Sequence, residues 1–83
     1  MDYRFHQFKW MANMAGFNYP IDVFYGTIYL GTLEAKNDGV VIRLIDTPEG
    51  KVPVKQSDKN IFKTQDIAAK VLHKTWARLR SGK

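Results

Sequence analysis

Hydrophobic and polar positions follow two different periods along this chain, and the change of period marks its elements. From Asp22 to Ala35, and again from Val40 to Asp46, the sequence is rich in aromatic and β-branched residues, which suit a pleated sheet. "VVIRLID" has almost no polar face: Val40, Ile42 and Leu44 point one way, Val41, Arg43 and Ile45 the other, as in the centre of a sheet. "KNDG" between the two runs predicts a hairpin turn. Gly26 and Gly31 interrupt the first run, as at a bulge or a close backbone approach, so the strand over 22–35 can break near Gly26. "DTPEGK" predicts a second turn, with Pro48 at its second position and Gly50 at its exit. Val52 and Val54, facing inward, then alternate with Lys51 and Lys55 in a short third strand. Pro53 lacks an N–H, which places that strand at a sheet edge.

Past the loop "QSDKN" the period becomes helical. Thr64 is the expected N-cap, Asp66 stands in the first turn, and the helix runs to about Arg80. At about 100° per residue, Ile67, Ala68, Ala69, Val71, Leu72, Thr75, Trp76 and Leu79 share one broad arc. That arc predicts Val71, Leu72, Trp76 and Leu79 buried beside Ile42 and Leu44, or beside Val41 and Ile45. At the other end, Phe5, Phe8, Met11, Ala12 and Ala15 recur at helical spacing between a capping Asp2 and a terminating Gly16. This predicts a helix over 2–15. Tyr3/Phe5 and Phe8/Trp10 also alternate in pairs, the pattern of a rival strand over 3–10. The expected architecture is one α+β domain over 1–83 with the order α-β-β-β-α. A three-stranded antiparallel sheet over 22–55 is covered by a long C-terminal helix over 64–80.

This order resembles that of double-stranded RNA-binding domains. Residues 22–80 also resemble the small DNA-binding modules at the front of some phage integrases and of the AP2 family. The likeness is one of element order and size. The first family carries a Lys-rich motif at the start of its last helix, where "FKTQDIAAKVL" has Lys63 and Lys70. The second reads DNA with a basic sheet, where 22–46 has Lys36 and Arg43. No binding residue carries over from either.

Composition narrows the chemistry. With 45% hydrophobic and 25% charged residues the chain has the make-up of a globular domain. The absence of cysteine excludes disulfides and thiolate chemistry and points to a reducing cytoplasm. His6 and His73 lie far apart, so no Cys/His metal site is expected, and no cofactor. "MDYRFHQFKWMANMAG" has no apolar run long enough for a signal peptide, and nothing approaches membrane-spanning length, so no membrane partner is expected. Ser57 and Ser81 lie in a loop and a tail, Asp38, Asp46 and Glu49 in turns, and no phosphate-loop glycine pattern occurs. No catalytic residue is expected, and the protein is not read as an enzyme.

Charge changes the picture most. The net charge is +5, but residues 1–50 carry four cations against six acids, or −2. Residues 51–83 carry nine cations against Asp58 and Asp66, or +7. Such asymmetry hints at a polyanionic partner. On the last helix Lys70, Lys74 and Arg78 form an i, i+4, i+8 stripe opposite the apolar arc. Like charges at this spacing repel by about a few tenths of a kcal/mol per pair. The stripe predicts a face that follows phosphates, extended by Lys51, Lys55, Lys59 and Lys63. A plain solvated face, whose last-turn cations gain from the helix dipole, is the competing account. The expected function is a small non-enzymatic accessory protein that binds DNA or RNA through phosphate contacts. The alternative is a protein–protein interaction module, a phage- or plasmid-type inhibitor or adaptor. Nine of the eleven aromatics lie in residues 1–29 and are expected mostly in the core, with Tyr25 and Tyr29 the best candidates for an exposed stacking or docking surface.

Overall fold

The computed structural model of the chain describes residues 2–8, 10 and 18–81. Five strands follow one another: β1 (Tyr3–Gln7), β2 (Tyr19–Tyr25), β3 (Ile28–Lys36), β4 (Gly39–Thr47) and β5 (Gly50–Pro53). A short 3-10 turn, Asp58–Asn60, and one helix, α1 (Gln65–Ser81), complete the described chain. Strand order in the sheet equals order in the sequence, and every pair is antiparallel.

The sheet therefore has five strands, not the three expected, and the α-β-β-β-α order gives way to β-β-β-β-β-α. Two corrections produce the difference. The segment read as one strand over 22–35 is two. Tyr25 pairs with Ile28 across Gly26–Thr27, and Gly26 takes a φ of 65° that a side chain disfavours. Tyr3–Gln7 is a strand rather than the start of a helix. Tyr3, Phe5 and Gln7 are half-buried while Arg4 and His6 are exposed, a period of two that Phe8 does not share. Met11, Ala12, Ala15 and Gly16, the rest of the expected helix, lie outside the described residues. With a strand at Tyr3–Gln7 where the helix was expected to start, the resemblance in element order to double-stranded RNA-binding domains no longer holds, and with four strands rather than three ahead of α1 from Tyr19 onward, neither does the resemblance to the AP2-like modules.

The core forms between the sheet and α1. Ile21, Val23, Leu30, Leu33, Ile42 and Ile45 meet Ala68, Ala69 and Leu72. Strand β4 does not keep simple alternation. Its register shifts opposite Thr32/Leu33, so Ile42 and Ile45 both face the helix, while Leu44 pairs with Thr32 on the other side. Gly31 marks the closest approach of the backbones. A Cβ there would lie 3.1 Å from Leu72 Cδ1 and would collide with the carbonyl oxygen of Leu44.

Strand β5 covers only the second half of β4, and Asn60 completes the job. The backbone N–H of Ile42 donates to Asn60 Oδ1 at 3.0 Å, and Asn60 Nδ2 donates to the Ile42 carbonyl at 2.8 Å. One buried amide side chain thus stands in for a strand residue. Beyond it Val40 and Phe62 exchange backbone hydrogen bonds of 2.8 and 2.7 Å. Val52, expected to face inward, is 44% exposed, whereas Val54 packs against the core.

Candidate functional site

Helix α1 starts where its cap residue dictates. The Ile67 N–H donates to Thr64 Oγ1 at 3.2 Å, and Asp66 stands in the first turn near the positive end of the dipole. The buried side of α1 is narrower than its apolar arc. Ala68, Ala69 and Leu72 are fully buried and Trp76 is half-buried, but Val71 is 38% and Leu79 45% exposed. Two alanines bring the helix axis close to β3 and β4. A helix seated on two strands buries one stripe, so Ile67 and Val71 on its flank stay in solvent, while Leu79 is exposed two turns beyond Leu72, near the end of the helix.

A seam of aromatic and charged side chains fixes the rotation of α1. The Tyr3 hydroxyl and His73 Nδ1 share a hydrogen bond of 2.9 Å. The Tyr25 ring lies 4.5 Å from the His73 ring, and Trp76 lies 6.0 Å from it on the other side. Arg80 stacks 4.0 Å over Trp76 and donates twice to Asp46, to its carbonyl at 2.8 Å and to Oδ2 at 2.9 Å. At the foot of the helix Gln7 Nε2 donates to Gln65 Oε1 at 2.9 Å. Burial, and then the neighbouring Tyr25, push the Tyr3 hydroxyl above its ordinary pKa. The Trp76 indole N–H is buried without an acceptor, a local cost of this packing.

This seam turns Lys70, Lys74 and Arg78 outward, and all three are exposed. Among the described residues the ion pairs are Arg80–Asp46 at 2.9 Å and Arg43–Glu34 at 3.3 Å, and neither uses the stripe. Lys74 borders a hollow with Tyr3, His73 and Ala77, and Lys70 borders one with Asp2 and Asp66, whose acids soften the field at that end. Lys55, Lys59 and Lys63 are exposed as well. They lie on the connection that runs along the free edge of β4, where Asn60 also approaches the Lys55 carbonyl at 3.5 Å. The six cations thus fall in two groups: Lys70 and Lys74 on the β1 side of the helix with Arg78 further along it, and Lys55, Lys59 and Lys63 on the connection that runs along β4.

Tyr25 and Tyr29 are separated too. Tyr25 packs into the seam on the helix side of the sheet. Tyr29 lies on the opposite face, 5.6 Å from Phe24, with Lys51 Nζ 4.8 Å above its ring. Its hydroxyl meets Thr32 Oγ1 at 2.6 Å, and Thr32 donates to Asp22 Oδ1 at 2.8 Å. On that face a groove of about 520 Å³ runs between Pro20, Thr32, Glu34, Arg43, Leu44 and Pro53. Glu34 Oε1 is buried there beside Arg43 Nε, close enough for an ion pair but without an aligned hydrogen bond. The pair carries no net charge, so the groove does not extend the cationic surface. Sequence reasoning missed both this groove and Asn60. Each is assembled by cross-strand register, which no local pattern announces.

Among the described residues no three His, Asp or Glu side chains converge as a metal ion would require, and no described helix is long and apolar enough to cross a membrane. Fold and surface together define a five-stranded antiparallel meander covered by one helix with a cationic outer ridge. No protein-family model, curated protein or solved structure matches the chain.

Proposed function

We propose that the protein is a small non-enzymatic nucleic-acid-binding protein that lays the outer ridge of α1 along a phosphate backbone. One observation carries this reading: Lys70, Lys74 and Arg78 are exposed and unpaired among the described residues, while Arg80 on the same helix is committed to Asp46. Folding uses one of these cations and leaves three in a row. The ridge spans about 12 Å, at about 1.5 Å per residue. That length matches three or four phosphates of one duplex strand, spaced by about 3.4 Å along the axis. Contacts of this kind position a protein on DNA or RNA without reading its sequence.

The test is a salt series of binding to duplex DNA, duplex RNA and single strands. Replacing Lys70, Lys74 and Arg78 together by Gln keeps the fold, because their side chains lie off the buried stripe. It flattens the dependence of log affinity on log salt by about 2–3 units, at about 0.9 per duplex phosphate contact. Replacing Lys55, Lys59 and Lys63 instead, on the far flank, has a smaller effect. Wild-type protein that binds no nucleic acid at about 50 mM salt, where such attraction is strong, sinks the reading.

A second reading rests on a different observation. Ile67 and Val71 are 44% and 38% exposed along the flank of the same helix, and Leu79 is 45% exposed near its end. An apolar stripe beside a cationic rim is the composition of a protein-docking surface. It takes first place if the salt series fails.

A further inference from the structure

The two edges of the sheet are not alike. At β5 the outer edge is blocked. Val54 donates its N–H to the Arg43 carbonyl, so Val52 and Val54 turn their backbone groups toward β4, while Lys51 and Pro53 turn theirs outward. Proline has no N–H to offer there, and lysine beside it discourages another strand. At β1 nothing of the kind is present. Phe8 donates its N–H to the Pro20 carbonyl at 3.0 Å, so Arg4 and His6, of the same parity, face β2. The N–H and C=O groups of Tyr3, Phe5 and Gln7 therefore point away from the sheet. Strand β1 holds an unbroken register with β2, contains no proline or lysine, and pairs with no second strand among the described residues. Hollows of about 330, 460 and 410 Å³ border it, lined by Tyr3 on the helix side and by Arg4, Phe5 and His6 elsewhere.

We infer that β1 is a docking edge for a second copy of this chain, paired antiparallel about a two-fold axis at Phe5. The parity is right for self-pairing. With Phe5 opposite Phe5, and Tyr3 opposite Gln7 on each side, every outward backbone group of the strand finds a partner in the copy. The charges fit a copy as well. The chain carries +5, which opposes self-association over most of its surface. The four charged groups lining the helix-side hollows beside this edge, Asp2, Asp66, Lys70 and Lys74, are two acids and two bases and cancel. On the other face Arg4 of each copy stands opposite His6. The axis is perpendicular to the sheet, so two five-stranded sheets join into ten strands with both α1 helices on the same side.

The chain has no cysteine, which makes the register directly readable. The first measurement is the mass of the wild-type chain by light scattering over a dilution series. A dimer of the 9.6 kDa chain that dissociates on dilution is expected. A monomer at every concentration overturns the inference, including the case in which a foreign strand occupies the edge. The second is oxidative cross-linking of Phe5→Cys against Arg4→Cys. Facing Cα atoms in a hydrogen-bonded pair lie about 5.5 Å apart. That is inside the span of about 4.4–6.8 Å that a disulfide bridges. Position 4 meets its own copy only across a diagonal of about 7–8 Å. Phe5→Cys is expected to cross-link faster by a factor of about ten or more, since a disulfide needs facing Cβ atoms. Equal rates at the two positions overturn the register.

Discussion

Asn60 does with one side chain what a strand does with its backbone, since it satisfies both the N–H and the carbonyl of Ile42. Replacing Nδ2 by oxygen sets a lone pair against the Ile42 carbonyl. Asn60→Asp is therefore expected to cost about 1–3 kcal/mol. In a domain of this size each kcal/mol lowers the melting temperature by about 4–8 °C, so thermal denaturation checks it. Nothing in "QSDKN" announces this role, because the partner lies 18 residues away and polar loops read alike. Tyr3 supports a second prediction. Its pKa is raised above 10.0 by burial and by Tyr25, so the folded chain holds that proton more tightly than the unfolded one. The resulting stability is fully present below pH 10 and is lost as pH rises through the raised folded value. Alkaline denaturation is expected to steepen there, and Tyr3→Phe is expected to flatten that limb.

Among the elements, α1 offers the sharpest comparison. Leu72 is fully buried and its neighbour Val71 is 38% exposed, although both belong to the same apolar arc. Leu72→Ala is expected to cost about 2–5 kcal/mol. Val71→Ala is expected to cost under about 1 kcal/mol. Chemical denaturation of the two variants decides; similar losses would mean that the helix is rotated from its described seat. The hairpin of β3 and β4, the edge strand with Pro53 and the Thr64 cap were all legible, since each depends on a local signal: a turn, a missing N–H, a side-chain acceptor. Strand β1 was not. Phe5 and Phe8 fit a helical period, and only pairing with Val23 and its neighbours selects the alternation of Tyr3, Phe5 and Gln7. The width of the buried face was equally hidden, because it depends on how many strands the helix spans.

For the molecule as a whole, the uneven charge of the sequence becomes an uneven charge of its two layers. Four cations against Asp66 sit on α1, while the first 50 residues, mostly sheet, carry −2. The cationic stripe could be read from the sequence because helical geometry projects it directly. The grouping of the loop lysines could not, since it depends on which flank of the helix the connection passes. The layers also depend on each other. A sheet with Ile21, Val23, Leu33 and Ile42 on one face needs α1 to cover them. A chain ending after Lys63 is expected to lose its cooperative melt and to bind hydrophobic dyes. A sharp transition in that chain would show that the sheet is stable alone.

Strand order that copies sequence order also bears on how the chain is made. Each strand meets its partner as soon as the next one is available, so most of the loop closure needed for the sheet is short-range and fast. The exception is the cover. Helix α1 follows all five strands, and a ribosome adds only about 5–20 residues per second. During synthesis the apolar face of a nearly finished sheet therefore waits, uncovered, for the last helix to emerge. The nascent chain is most exposed to chaperones, and to its neighbours on the same message, in that interval.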